Sequence, residues 1–250
     1  MKTTTSIITF VIILVFSSAA VAQQTENQLF AAIKHTVKPE KIDEYKDLMK
    51  KFASACKEYD YPFIYSAWQS SFPDFYYFYP IKDYNTAVEL NSEAWKIIPN
   101  MESDFAKNLF ESIESWEQFF IRRIDSLTYN PENGPVVGVD LVYAEWWIHY
   151  NKTWTGWNYR NTFKKAIEMD KEANFDYPIT RFQSDIGMKG PAIITVFWGK
   201  NMADLYNHAQ KDWEILGDDV REMINNFDST TRKFEKIPFW FQKDLSNIPE

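Results

Sequence analysis

The sequence predicts an α+β protein of two tandem ferredoxin-like domains that cover one another with their antiparallel sheets. Three observations carry that expectation. The tripeptide Asp-Tyr-Pro occurs twice, at Asp60–Pro62 and Asp176–Pro178. A matching succession of helical and extended patterns surrounds each copy. One extended segment, from Val136 to Tyr150, is apolar on both faces and so must be covered on both sides.

Upstream of each tripeptide lies a lysine-rich helical stretch. In the first, Ile42, Tyr45, Leu48, Met49, Phe52 and Cys56 recur at helical spacing. Downstream come two short runs of β-branched and aromatic residues. These are FIYSAWQ and FYYFYPI broken by SSFPD, then ITRFQSD and AIITVFW broken by GMKGP, and each pair reads as a hairpin. Amphipathic helices follow, DYNTAVELNSEAW and NMADLYNHAQKDW, closed by Trp95 and Trp213 at a spacing of 213 − 95 = 118. A further helix comes next (IPNMESDFAKNLFESI, LGDDVREMINNFDST), then a last strand (EQFFIRRIDSL, KIPFWFQKDLS), with Asp125 and Lys243 at the same spacing. Strand, helix, strand, strand, helix, strand is the split βαβ order. A period this long marks a duplicated domain rather than a solenoid. The turn-rich stretch Tyr129–Gly138 divides the expected domains, 23–130 and 131–250.

On the two-faced strand, Val137, Val139, Leu141, Tyr143 and Trp147 share one side. Val142, Ala144, Trp146 and Ile148 share the other. Helices cover one side, and the sheet of the other repeat is the natural cover for the second. The run FYYFYP alternates Phe75, Tyr77 and Tyr79 against Tyr76 and Phe78, which reads mostly as core; the Tyr77 hydroxyl is a candidate ligand contact.

Residues 1–22 have a lysine, an apolar run from Ile7 to Phe16 and Ala20-Val21-Ala22, the pattern of a secretory signal peptide cleaved before Gln23. The expectation is an exported protein, periplasmic or extracellular, with no transmembrane segment in the mature chain. A net charge of −8 and a pI near 5.1 argue against nucleic acid and anionic membranes as partners. The single cysteine, Cys56, rules out an internal disulfide, and its apolar helix face makes it packing rather than a nucleophile. No phosphate-binding glycine loop, nucleophile elbow or zinc-protease helix occurs, and no pair of histidines has metal-ligand spacing.

The stretch PAIITVFWGKNMADLYNHAQKDW resembles the strand-to-helix segment of the dimeric α+β barrel superfamily, in particular its antibiotic-biosynthesis-monooxygenase-like and NIPSNAP-like domains. The matching residues are Ile193, Val196, Phe197, Trp198, Lys200, Leu205 and Trp213. The resemblance implies that the two tandem ferredoxin-like domains pair their antiparallel sheets as an intramolecular α+β barrel, a monomer with an internal pseudo-dimer, or else a homodimer, with sites between sheet and helices. It also implies a choice among cofactor-free monooxygenases, haem enzymes and proteins without a known reaction. A haem would need an axial histidine. His208 lies in the matching helix, but the haem degraders place theirs about two turns further on, where this chain has Leu216-Gly217-Asp218. The expectation is no cofactor and no metal, with haem as the alternative.

Within that frame Glu145 and His149 are the candidate catalytic residues. Tyr143, Trp146, Trp147 and Trp198 are candidate ligand contacts, as are His35 and Tyr77. Glu145 shares a strand face with Tyr143, Trp147 and His149, and a covered carboxylate must be paired or have its pKa raised. Raised, it serves as a general base; paired across the barrel seam with a lysine or arginine, it is architecture. His35 and His149 close the two first strands and read as related positions. Arg122 and Arg123, being adjacent, point to opposite faces, so at most one enters a given pocket. Three functions remain open: an exported binder of an apolar or aromatic small molecule, a cofactor-free monooxygenase-like enzyme on an aromatic substrate, and a non-catalytic module of the cell envelope.

Overall fold

The computed structural model describes residues 27–152, 158–229 and 231–249. The expected signal peptide and its cleavage point lie outside the described residues. Eight antiparallel strands form a closed barrel in the order β1-β3-β2-β8-β5-β7-β6-β4. In chain order the elements are β1 (Leu29–Val37), α1 (Ile42–Glu58), β2 (Ser66–Gln69), β3 (Asp74–Ile81), α2 (Tyr84–Ile97), α3 (Phe105–Ser112) and β4 (Ile113–Arg123). Then follow β5 (Tyr143–Asn151), α4 (Asn158–Glu172), β6 (Ile179–Ser184), β7 (Ala192–Gly199), α5 (Met202–Ile215), α6 (Asp218–Ser229) and β8 (Thr231–Phe241). Among the described residues no helix is long and apolar enough to cross a membrane.

Strands β4, β1, β3 and β2 form one contiguous half of the barrel, and β8, β5, β7 and β6 the other. The seams are short: Trp68 pairs with Phe241 and Gln69 with Trp240 on one side. Ile121, Arg122 and Arg123 pair with Ser184, Gln183 and Phe182 on the other. Side chains alternate between the barrel interior and the helix-covered outside. On β5, Ala144, Trp146, Ile148 and Tyr150 point inward, into a core shared with Trp68, Phe182, Ile194 and Phe239. Both faces of β5 are buried along almost its whole length, as its unbroken apolarity demands.

The two halves correspond position by position. His35 pairs with Phe75 and Trp116, and His149 pairs with Ile193 and Phe234. The first strands are thus offset by 149 − 35 = 114 residues, and their partners by 193 − 75 = 118. The bulges at Thr36/Val37 and Tyr150/Asn151 obey the first offset. The helix caps obey the second, Asp83 accepting from the Thr86 amide and Asn201 from that of Asp204, each at 3.0 Å. After α1 and α4 the chain turns through a left-handed residue, Asp60 (φ 51°) and Asn174 (φ 52°), types that tolerate it.

That last pair corrects the reading of the repeated tripeptide. Asp60 corresponds to Asn174, so the second Asp-Tyr-Pro lies two residues past the equivalent position; the recurrence is not a structural landmark. A second correction concerns residues 136–142, expected to extend β5. They form a turn instead: Gly138 takes φ 82°, the Asp140 carboxylate accepts from the Val136 amide at 2.9 Å, and Val139 is exposed. The glycine and the side-chain acceptor offer the backbone a local partner that competes with the sheet.

Candidate functional site

Between the outer face of the second half's sheet and helices α4, α5 and α6 lies a cavity of about 520 Å³. Its floor follows from strand register. Trp147 on β5 and Arg181 on β6 both pair with Thr195 on the intervening β7, so the three form one row across the sheet. His149 stands in the next row, opposite Ile193. Neighbouring strands are about 4.8 Å apart and same-face residues about 7 Å apart along a strand, which sets the scale of this floor. Phe163 and Ala166 of α4 and Asp212 and Trp213 of α5 face it.

Charge is concentrated at one end. Arg181 is 4% exposed; its Nη1 donates to the Leu127 carbonyl at 2.9 Å and its guanidinium lies 4.3 Å from the centre of the Phe163 ring. Burial lowers its pKa to about 10, which leaves it charged at neutral pH. Asp170 on α4 is fully buried and Asp212 on α5 nearly so. Burial first, then the charge of Asp212 and a hydrogen bond with it, raise the Asp170 pKa well above the carboxylate range, while Arg181 opposes the shift. Burial raises Asp212 as well. Two buried carboxyls in contact cannot both ionise, so the pair retains a proton at neutral pH. Asp212, the member facing the cavity, can give or take that proton.

The first half shows what these residues replace. By register, Arg181 corresponds to Ala67 and Thr195 to Tyr77. By the offsets of the helices, Asp170 corresponds to Cys56, Asp212 to Ala94 and Ala166 to Phe52. In the first half this space is solid: Tyr45, Phe75 and Tyr77 are essentially inaccessible, and Phe52 and Cys56 are buried with them. Two large aromatic side chains there are a threonine and an alanine in the second half, which opens the cavity. Three small or apolar positions there carry the buried ionisable groups.

The expected site residues separate. Tyr143, Glu145, Trp147 and His149 share the outer face of β5, as alternation requires. Glu145 is saturated rather than poised: it accepts from the Trp147 Nε1 at 2.6 Å and from the Tyr206 hydroxyl at 3.1 Å, and it is not part of the cavity wall. These bonds hold the Trp147 ring, with the Lys236 ammonium 3.7 Å from the ring centre on one side. His149 lines the cavity and packs against Phe234, ring centres 4.7 Å apart. Trp146 and Trp198 do not join Trp147. They point into the barrel, because strand neighbours of opposite parity face opposite sides. His35 and Tyr77 lie in the solid half. His35 Nδ1 bonds the Tyr45 hydroxyl at 2.8 Å, which bonds that of Tyr77 at 2.7 Å, and burial lowers the histidine pKa to about 4. Arg122 pairs with Asp185 and Arg123 with Asp125.

Arg181, Asp170 and Asp212 escape the sequence reading. A signal exists: Phe163, Ala166, Ile167 and Asp170 continue one apolar helix stripe into a carboxylate.

Among the described residues no group of three or more histidine, cysteine or acidic side chains could hold a metal. The haem ligand position does not fit either: His208 lies outside the cavity wall, stacked on Tyr177 and 3.3 Å from Asp204, and Leu216 closes the cavity.

No family model and no curated protein matches the sequence. Solved structures share the fold. A protein provisionally assigned as a monooxygenase from Lactobacillus acidophilus NCFM superposes with a TM-score of 0.56 at 10% identity, over 86% of this chain and 94% of its own. An anthrone oxidase-like protein gives 0.56 at 8% identity over 88% and 92%. A chlorite dismutase variant from Candidatus Nitrospira defluvii gives 0.53 at 8% identity over 88% and 93%. Each is matched over nearly its whole chain, so the complete barrel with its helices is the shared unit. At these identities the likeness concerns the fold alone.

Proposed function

We propose that the protein is a monooxygenase-like enzyme that oxidises an ionisable aromatic substrate with dioxygen in the helix-side cavity of its second half. One observation carries the reading: where the first half has Tyr77, Phe52, Ala67, Cys56 and Ala94, the second has a cavity with a buried arginine and a proton-sharing carboxyl pair. Buried charge is costly unless it is used or paired, and a fold that packs the same positions with apolar groups shows that stability does not require it. Neighbours described as a monooxygenase and as anthrone oxidase-like are consistent with this chemistry.

In the proposed reaction, Asp212 takes a proton from an activated C–H or phenolic O–H of the substrate, and the resulting enolate or phenolate lies against Arg181. Its carbanion form passes one electron to dioxygen. The substrate radical and superoxide combine into a peroxide, which regains the proton from Asp212. Loss of water then leaves a new carbonyl, the second oxygen atom departing as that water. Trp147 and Phe197, packed edge to face with ring centres 4.9 Å apart, supply the aromatic wall for the ring, and His149 lies at the same floor.

The test is oxygen consumption by the purified protein with anthrone, alongside anaerobic binding. Saturable uptake that falls about 100-fold or more in Asp212→Asn supports the reading. Binding without oxygen uptake makes the cavity a carrier site, and the absence of both removes the proposal. As part of the same reading, the halves 23–130 and 131–250 descend from one duplicated unit. The chain is exported after loss of residues 1–22, and the internal pair stands in for a homodimer. Amino-terminal sequencing of the exported protein and its sedimentation mass check the last two.

A further inference from the structure

We propose that the mouth of the barrel is a second binding site, separate from the helix-side cavity and independent of its chemistry, for a flat aromatic carboxylate. An eight-stranded barrel is just wide enough to be filled by side chains or to hold one small ligand. Here the interior is filled at one end and hollow at the other. The hollow measures about 420 Å³ and opens where β4 and β8 finish, within the range of small-molecule sites.

Its cause lies at Ala144. Across the sheet this residue pairs with Trp198 on one side and Phe239 on the other, so a single methyl stands in a ring of large aromatic groups. Trp68 forms the adjoining wall, its ring centre 5.6 Å from that of Trp198 and 5.0 Å from that of Phe241. The Trp198 Nε1 is already satisfied by the Thr180 hydroxyl at 3.0 Å, which leaves its ring faces as apolar surface. A planar ligand fits such walls because aromatic faces stack offset or edge-on at centroid distances of about 4.5–7 Å.

The charged group on this wall is Arg123. Its Nε donates to Asp125 Oδ1 at 2.5 Å, and the other carboxylate oxygen accepts from the Asn27 amide at 3.0 Å. Among the described residues the two terminal amino groups of Arg123 have no hydrogen-bond partner, although the residue lines the hollow. Their fork matches a carboxylate in two parallel bonds. Val137 and Gly138 from the turn before β5, with Ile248 beyond β8, close over the mouth.

The experiment is a fluorescence titration of the full chain with 9-anthracenecarboxylate, and with anthracene-9-methanol as its neutral counterpart. The expected result is saturable binding of the carboxylate, weakened about tenfold or more by Arg123→Gln while the neutral probe is unaffected. Ala144→Leu, which fills the hollow, should weaken both. Thr195→Tyr, which fills the other cavity, should leave both intact, and circular dichroism of each variant shows that the barrel is formed. No saturable binding to the wild type overturns the proposal. So does binding that survives both Arg123→Gln and Ala144→Leu, or that is lost only with Thr195→Tyr, since the probe then occupies the helix-side cavity.

Discussion

His149 stands on β5 where His35 stands on β1, yet one faces a cavity and the other a wall of tyrosines. The strand pairings are the same around both. What differs is the residue beside them: Tyr77 reaches across to Tyr45 in the first half, and Thr195 at the corresponding place leaves the space empty. The asymmetry between the two halves is therefore a matter of side-chain volume on one scaffold.

Refilling the second half should abolish its function without breaking the barrel. Thr195→Tyr and Ala166→Phe copy the residues of the solid half. Overpacking costs about 1–3 kcal/mol where no room exists, but here the room is present. Unfolding midpoints within a few degrees of the wild type, with oxygen uptake or substrate binding reduced at least tenfold, are expected from thermal melts and titrations.

The carboxyl pair predicts a decline in stability towards alkaline pH. In the folded state Asp170 holds its proton above the pKa of an unfolded aspartate, about 3.9. The native state then binds more protons than the unfolded one, so stability is fully present below that value and is lost as pH rises towards the raised pKa. Asp170→Asn keeps a neutral side chain at every pH. Urea unfolding at pH 5 and pH 8 should show a smaller loss in this variant, by about 1.4 kcal/mol for each pH unit of that window lying below the raised pKa; equal losses in both proteins contradict the assignment.

His35 predicts the complementary acid limb. Its folded pKa is lowered from 6.5 to about 4, so the unfolded chain takes up the proton first as pH falls. The stability it contributes is complete above 6.5 and is lost between 6.5 and 4, at most roughly 3 kcal/mol. His35→Gln should flatten unfolding free energies over that window. The ring resonances of His35 should remain those of neutral imidazole at pH 5.

Cys56 should behave as buried packing. Burial pushes its thiol up to about 12, so almost no thiolate exists at neutral pH. Ellman's reagent should react only as the chain unfolds, with a rate that follows denaturant concentration. Prompt labelling of the native protein would contradict this.

Much of the architecture was legible because it rests on short-range periodicity. The helix over Ile42–Glu58, both hairpins and the two-sided burial of β5 follow from apolar spacing and turn residues. Legibility ended where local chemistry competes. Residues 136–142 alternate like a strand but turn, because Gly138 and Asp140 supply a local solution. The repeated Asp-Tyr-Pro misled for a related reason: identity of letters says nothing about which residue takes the left-handed turn after a helix. The candidate site was half legible. Tyr143, Glu145, Trp147 and His149 were placed on one face by parity, and parity also separates Trp146 from them. Arg181, Asp170 and Asp212 come from three elements, and no local pattern announces their meeting.

The sequence by itself determined the order of strands and helices, the face on which each strand residue lies and the burial of both sides of β5. All of these depend on residues within a few positions of one another. Only the tertiary structure decided which half is hollow, that Glu145 is held by Trp147 and Tyr206, and that an arginine and two aspartates share one buried corner. Those outcomes depend on volumes and charges brought together from distant parts of the chain, where one missing ring opens a cavity and a neighbouring charge moves a proton.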